Sequence, residues 1–473
     1  MPIRFAALPG AALLLAAPAL AVAPDPVALV AAREADTTRV ARQIWEWAEV
    51  GYKEDRSSAL LASELSRAGF KVTKGVAGIP TAFTAEWGTG GPLIAVLGEY
   101  DALPGISQAA VPARDPIAGK PAAHACGHNL FGAASMTAAI AVKEWLEKTG
   151  TPGRVRFYGT PAEEGGSGKV YLVRDGLFDD VDFTINWHPG DENSAAAETS
   201  LANRSAKFRF HGRSAHAAGA PDQGRSALDG VEAMNMMVNL MREHTTMDSR
   251  IHYVITEGGK APNVIPDFAE VFYYVRHSRT DEVEAMWSRV EAAAKGAAMG
   301  TGTKVEWEVI HGNNPLLVNE TLQAMMDAKL RALGGIAYSA EERAFAERIA
   351  PTLAKARPIE SAQMVAPYAR TLGYGSTDVG DVSWATPTVG FNTATWVPGT
   401  PSHSWQSAAA SGMSIGFKGA QLAAKAMALA AVELYTDPAL RAAAKAEFDA
   451  ARGRNYTYRS LLGDRKPPLD YRD

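Results

Sequence analysis

One cysteine, Cys126, occurs in the whole chain, in the run His124-Ala-Cys126-Gly-His128-Asn129, and an acidic pair, Glu163-Glu164, follows downstream. A thiolate, an imidazole two residues on and paired carboxylates are donors that divalent zinc or manganese takes up. A lone cysteine cannot close an intramolecular disulfide, so its uses are core filler, reactive thiol or ligand. Burial as filler is the commoner fate of an isolated cysteine. Here Gly127 separates it from His128, a loop spacing that lets both side chains reach one ion. His188, after Asp182-Phe-Thr-Ile-Asn-Trp, and His403, in Thr400-Pro-Ser-His403, are each better read alone as hydrogen-bonded structural histidines. Taken as a set, Cys126, His128, Glu164, His188 and His403 supply donors enough for two divalent ions, which at about 3.5–4 Å apart activate a water and polarise a carbonyl. Glu163 is then available to move a proton from that water to a leaving amine. An acidic pair is ordinarily a solvated surface feature; the apolar strand before this one and the glycines after it argue otherwise. A cysteine-nucleophile enzyme, in which Cys126 rather than metal is essential, is the rival chemistry. His211, His244, His252, His277 and His311 read as structural or surface residues.

The elements that must hold these residues alternate. Helices are expected over 27–47 and 57–67. Short strands follow at 70–72 and 81–87, then the unbroken apolar run Pro92-Leu-Ile-Ala-Val-Leu-Gly98, the pattern of a strand buried on both sheet faces. A helix over about 132–149 leads to a strand at 153–159 and a Gly-rich loop at 160–166; another strand over 182–188 ends in His188. Three strands thus run out into polar, potentially ligating residues, at the carboxyl ends where open α/β sheets place their chemistry. From about 204 to 312 the order becomes β-α-β-β-α-β, the ferredoxin-like arrangement. The fold class predicted is α/β: a metal-bearing catalytic domain (24–203 and 313–473) with an inserted ferredoxin-like unit (204–312). After the insertion come a helical stretch at 339–356, a loop at 373–381, a strand at 386–392 and a long helix at 411–435. Trp384, Trp396 and the 373–381 loop are candidates for pocket lining or for plain structural roles, and the stretch from Asn455 reads as a surface-packed extension.

At 473 residues, 47% hydrophobic and 21% charged, the chain has the make-up of a globular protein of two or three domains. A net charge of −5 and the lack of a long basic run exclude an electrostatic case for nucleic acid or anionic membrane. Residues 1–23 differ: Arg4 precedes an Ala/Leu-rich stretch with Ala19 and Ala21 at an A-x-A site, the layout of a secretory signal peptide. Export, to a periplasmic location, is therefore expected, with no membrane span once the leader is removed.

Six segments in order, Gly98-Glu-Tyr-Asp-Ala-Leu-Pro104, His124 to Gly132, Pro161-Ala-Glu-Glu-Gly165, Gly212-Arg-Ser-Ala-His216-Ala217, Pro262-Asn-Val-Ile-Pro266 and Pro401-Ser-His403, carry a resemblance to the metal-dependent aminoacylase and carboxypeptidase family of amidohydrolases. Within it the chain is most similar to the amino-acid-conjugate hydrolases with a Cys-Gly-His motif. The resemblance implies a catalytic domain plus a lid that also makes a dimer, two manganese or zinc ions held by Cys126, His128, Glu164, His188 and His403, and Glu163 as general base. It also implies that His216 reaches a neighbouring active site to steady the oxyanion, and that Asn263 contacts substrate, against a plain turn role before Pro266. Implied substrates are N-acyl or aromatic-acyl amino acids such as p-aminobenzoyl-glutamate; short peptides and a non-catalytic partner role are the alternatives. The partner is a second copy or a related chain. Two departures stand out. Glu99-Tyr100-Asp101 replaces the His-x-Asp of many relatives, and Asn129 replaces the aspartate that commonly follows the motif histidine, which puts metal preference in question.

Overall fold

In the computed structural model the described residues are 24–472; the expected signal peptide, 1–23, lies outside them. A six-stranded mixed sheet carries the first layer, with neighbours in the order Lys71–Lys74, Phe83–Thr89, Gly153–Gly159, Leu93–Gly98, Phe183–Ile185 and Thr388–Val389. The first three pair antiparallel and the last four run parallel. Every residue of Leu93–Gly98 is buried, as its unbroken apolar run requires of a strand at the sheet's centre. Helix His128–Thr149 lies on this strand and Ser414–Thr436 packs on that helix, so both are alanine-rich and buried nearly all round.

Residues Ala202–Asn313 form a second layer with its own core around Phe208, Tyr273 and Trp287. Its antiparallel sheet has the order Arg250–Glu257, Phe268–His277, Ala202–His211, Lys304–Asn313, backed by helices Ala227–Met241 and Thr280–Thr301. Phe268–His277 alternates buried and half-buried residues along its length, a sheet with one covered face. Arg250–Glu257 is an edge and mostly exposed.

Several expected boundaries move. The first helix breaks into Pro26–Ala31 and Glu34–Trp47. The strand expected over 182–188 stops at Ile185, and His188–Gly190 instead begins a separate parallel pairing with Asn392–Ala394, which also divides the strand expected over 386–392. The 373–381 loop runs into helix Val379–Ala385, and the helix at Pro438–Arg452 is one that the sequence patterns do not announce. The helix expected from 132 starts at His128. Gly127 makes that start possible: its φ of 76° is left-handed, and a Cβ there would meet Pro189 at 2.7 Å. No described helix is long and apolar enough to cross a membrane.

Candidate metal centre

Leu93–Gly98 lies between Gly153–Gly159 and Phe183–Ile185, all three parallel, so their carboxyl ends open on one edge of the sheet. Glu99 and Asp101 follow the first, Glu163 and Glu164 the second, and His188 the third. The first turn of His128–Thr149 brings Cys126 and His128 to the same edge, and His403 joins through its N–H, which donates to the Ala125 carbonyl at 3.0 Å.

Two donor sets result. Cys126, His128 and His188 form one; Cys126, Glu164 and His403 form the other; within each, the donor atoms lie within 4.8 Å of one another. The Cys126 sulfur belongs to both. Cys126 Sγ is 3.4 Å from His188 Nε2, and His403 Nε2 is 3.3 Å from Glu164 Oε1. His188 Nδ1 pairs with the Pro189 carbonyl at 2.7 Å, a bond only a protonated Nδ1 can donate, so Nε2 keeps its lone pair for the site. His128 is held likewise: Nδ1 lies 2.8 Å from Asp101 Oδ1, and the other Asp101 oxygen accepts the Glu164 N–H at 2.9 Å. Asp101 therefore sets one donor of each set.

A third set, Glu99, His128 and Glu163, adjoins the first two. Glu99 Oε2 sits 3.0 Å from His128 Nε2. Its other oxygen is 2.6 Å from Lys169 Nζ, which also reaches Asp378 Oδ1 at 2.7 Å; all three side chains are fully buried. Sequence reasoning assigned no role to Glu99, Asp101, Lys169 or Asp378. Glu99 and Asp101 stand inside one of the six segments and were within its reach. Lys169 and Asp378 had no local signal, since their pairing spans two hundred residues of chain.

Electrostatics marks this as a place for cations. Burial, then the neighbouring carboxylates, first Glu99 and then Glu164, push Glu163 well above the usual carboxylate range. Burial and the charge of Glu164 push the Cys126 thiol up. Burial works against the charge of His128, but Cys126, Glu99 and Asp101 outweigh it and hold the imidazole well above its ordinary value. Burial likewise opposes Glu164's charge, yet His403 and His128 keep it low. His188 is depressed to about 4, chiefly by burial and then by His128. Glu99 Oε2, His128 Nε2 and Glu164 Oε1 are buried without a hydrogen bond of acceptable geometry. Buried polar atoms normally find partners. Divalent ions among the N, O and S donors would satisfy these atoms and favour the thiolate, so the residues fit such ions.

The backbone here is strained. Ala162, Ser167 and His403 are non-glycine residues at φ 58°, and Gly165 stands at φ 90°. Such conformations persist where surroundings over-determine them, and they cluster at functional sites. The turn expected to be a loop at 160–166 is thus a single irregular helical turn at Glu163–Gly166. Glu54 accepts the Ala162 N–H at 2.9 Å, and Tyr52 donates to the Gly166 carbonyl at 2.6 Å.

Other candidates lie elsewhere. Asn129 is fully buried, and its Nδ2 donates to the carbonyls of Ala41 (3.1 Å) and Ser411 (3.0 Å), so the amide braces backbone and belongs to none of the three donor sets. His216 is exposed on the inserted unit, where its Nδ1 accepts the N–H groups of Ala218 and Gly219. With Nδ1 accepting, the ring proton of the neutral imidazole sits on Nε2, which is then a donor. Asn263 is exposed beside it, its carbonyl accepting the Ala217 N–H. Within this one chain neither belongs to a donor set. Trp396 is buried in an apolar cluster and bonded to Ser411, while Trp384 stacks on Tyr456 and donates to the Pro315 carbonyl; both are structural.

Residues 95–390 match the family described as Peptidase family M20/M25/M40. The chain belongs to this family. It is 43% identical to one of the component chains of the p-aminobenzoyl-glutamate hydrolase of Escherichia coli (strain K12), over 86% of this chain and 91% of that protein. It is 30% identical to the Xaa-Arg dipeptidase of Mus musculus, over 86% and 88%. In fold it resembles a solved dinuclear metal binding peptidase of the M20 family from Bacillus subtilis, with a TM-score of 0.58, 17% identity, and coverage of 86% of this chain and 100% of that one. As an M20 member the chain is an enzyme of the α/β class that hydrolyses amide bonds.

Proposed function

We propose that this protein hydrolyses the amide joining an acyl or aromatic acyl group to an amino acid, with p-aminobenzoyl-glutamate the first substrate to try. The observation that carries the reading is the pair of donor sets sharing Cys126, with Glu163 adjacent to both yet a member of neither. Cys126, His128, Glu164, His188 and His403 would hold two zinc or manganese ions, which when bound would supply carbonyl polarisation and an acidified water. Glu163 accepts the proton of the attacking water and delivers it to the leaving nitrogen. Asp101 keeps His128 oriented throughout. The substrate class rests on the 43% identity to the Escherichia coli hydrolase chain.

The dipeptidase named among the relatives supports a second reading on short peptides, which differs only in the pocket. A non-catalytic partner chain would have no need of Glu163 or of all five donors, and every one is present. Dimer formation is supported by the exposed edge strand Arg250–Glu257 with Val254 and Ile255, and by the exposed Met236 and Leu240. The Nε2–H of His216 then serves a neighbouring protomer's oxyanion. The partner is a second copy or a related chain. Export rests on the leader-like residues 1–23, and amino-terminal sequencing of protein from a periplasmic extract checks it.

The test is elemental analysis of the purified chain beside a hydrolysis screen of p-aminobenzoyl-glutamate, N-acyl amino acids and dipeptides, with and without chelator. About two metals per chain with chelator-sensitive cleavage is the expected result. No metal and no turnover after reconstitution would move the reading to a non-catalytic partner.

A further inference from the structure

The segment after helix Pro438–Arg452 does more than cover surface. Its consecutive leucines enter different cores: Leu461 packs in the core of the inserted unit and Leu462 in that of the catalytic domain. Leu461 closes on Gly312, where a Cβ would lie 3.0 Å from its own. Arg465 bonds to the Val309 and Ile310 carbonyls and to Glu308 Oε1 (2.7 Å), all on the last strand of the inserted unit. Tyr458 donates to Asp381 at 2.7 Å, and Asp381 in turn accepts both the N–H (2.8 Å) and the Nδ2 (2.7 Å) of Asn314, the first residue after that strand. The far end of the segment reaches the metal centre. Tyr471 Oη (3.1 Å) and Arg472 Nη2 (2.5 Å) both donate to the main-chain carbonyl of Glu164, and the Tyr471 ring stands edge-on to Tyr52 at 5.5 Å.

We propose that residues 458–472 are a positioning strap: anchored on the inserted unit by Leu461 and Arg465, it holds the Glu164 carbonyl through Tyr471 and Arg472 and so sets the Glu163–Glu164 turn by where that unit stands. The grip falls on the irregular peptide of the turn. Glu164 has ψ 64° and Gly165 φ 90°, neither helical, and rotation of the peptide between them swings Glu164 and carries Glu163 with it. Arg174, on the helix that follows the turn, donates to the Arg465 carbonyl at 2.7 Å, so strap and turn share a second tie. Tyr471 and Arg472 are thus positioning residues for the reaction, acting through Glu163 and Glu164.

This inference rests on the amide-hydrolysis reading, and its test separates the two. The full chain, loaded with metal, is compared with Tyr471→Phe/Arg472→Gln, with Arg472→Lys and, at the other end of the strap, with Arg465→Gln, each for kcat, KM, metal content and the visible spectrum of the Co2+ form. The double variant should lose about 10-fold in kcat with KM within about twofold and two metals retained, since small misplacements of catalytic groups are costly. Arg472→Lys, which keeps Tyr471 and a cationic donor, should retain most of the wild-type kcat, and Arg465→Gln, remote from the metals, should lower kcat about threefold in the same pattern. Wild-type kcat in Arg465→Gln, or a fall in the double variant that only tracks lost metal, overturns the strap. If the wild-type chain cleaves no amide, the functional reading fails and the Co2+ spectrum decides the strap. Bands displaced in both the double variant and Arg465→Gln support it; bands unchanged in either refute it.

Discussion

Replacing Asn129 with aspartate would restore the residue that commonly follows the motif histidine, and the structure makes its outcome specific. Asn129 Nδ2 donates to Ala41 and Ser411 carbonyls at 3.1 and 3.0 Å, tying the first turn of His128–Thr149 to two neighbouring helices. A carboxylate has no donor for either. Losing two hydrogen bonds costs about 1 kcal/mol each, and leaving buried carbonyls against an acceptor costs roughly 1–3 kcal/mol more, so Asn129→Asp should destabilise the metal-free protein by about 3–5 kcal/mol near pH 8. A protonated carboxyl recovers one donor, so the fold raises the new group's pKa above its unfolded value of about 3.9. A raised pKa gives stability that is full below the unfolded value and lost as pH rises through the folded one. The deficit should therefore be smallest near pH 4 and grow toward neutrality. Urea unfolding followed by tryptophan fluorescence at several pH values measures it, with metal content determined alongside. Because two cores need not unfold together, the comparison is between transition midpoints of wild type and variant. If Asn129 instead tuned charge beside the metals, the variant would bind metal differently and keep wild-type stability. That result would refute the bracing role.

Glu163→Gln should keep about two metals per chain and lower kcat by at least roughly 100-fold, as loss of general-base assistance does; retained turnover would sink the assigned role. Cys126→Ala should take metal content below one per chain, because both donor sets share the sulfur; full metal content with abolished activity would favour a nucleophilic thiol. Lys169→Met takes from the buried Glu99 and Asp378 carboxylates the cation they share and should cost about 3–5 kcal/mol, relieved in part by adding Asp378→Asn, as read by urea midpoint. His311 is buried against Ser167 and Asn313 with its pKa lowered to about 4, mainly by burial. Between that value and about 6.5 the unfolded chain binds the extra proton, so stability is lost as the pH is lowered through this window, by roughly 3 kcal/mol for this one group. His311→Gln should flatten that dependence, and an unchanged acid transition would contradict the assignment.

Much of the site was legible because its residues lie beside strong local patterns. Leu93–Gly98 is an apolar run that only a sheet centre accommodates, and it ends at Glu99; the alternation in Phe268–His277 marks a half-covered strand. Periodicity of this kind records which face of an element is buried, and that is a property of neighbouring residues. It failed for the start of the His128 helix, which is buried all round and so has no polar face to give a period. The donor types around Cys126 were likewise readable, and the structure gathers them at one edge of the sheet. Other facts were decided only in three dimensions. His188 opens its own strand against Asn392–Ala394, where the sequence pattern runs it on from Ile185. Asn129 turns to the Ala41 and Ser411 carbonyls, while Asp101 orients His128. Lys169 finds Glu99 and Asp378, and Tyr471 and Arg472 find Glu164. A local pattern encodes the burial of a side chain, whereas the partner that satisfies a buried charge or carbonyl can come from any point of the chain, chosen by packing and by the cost of leaving such a group unpaired.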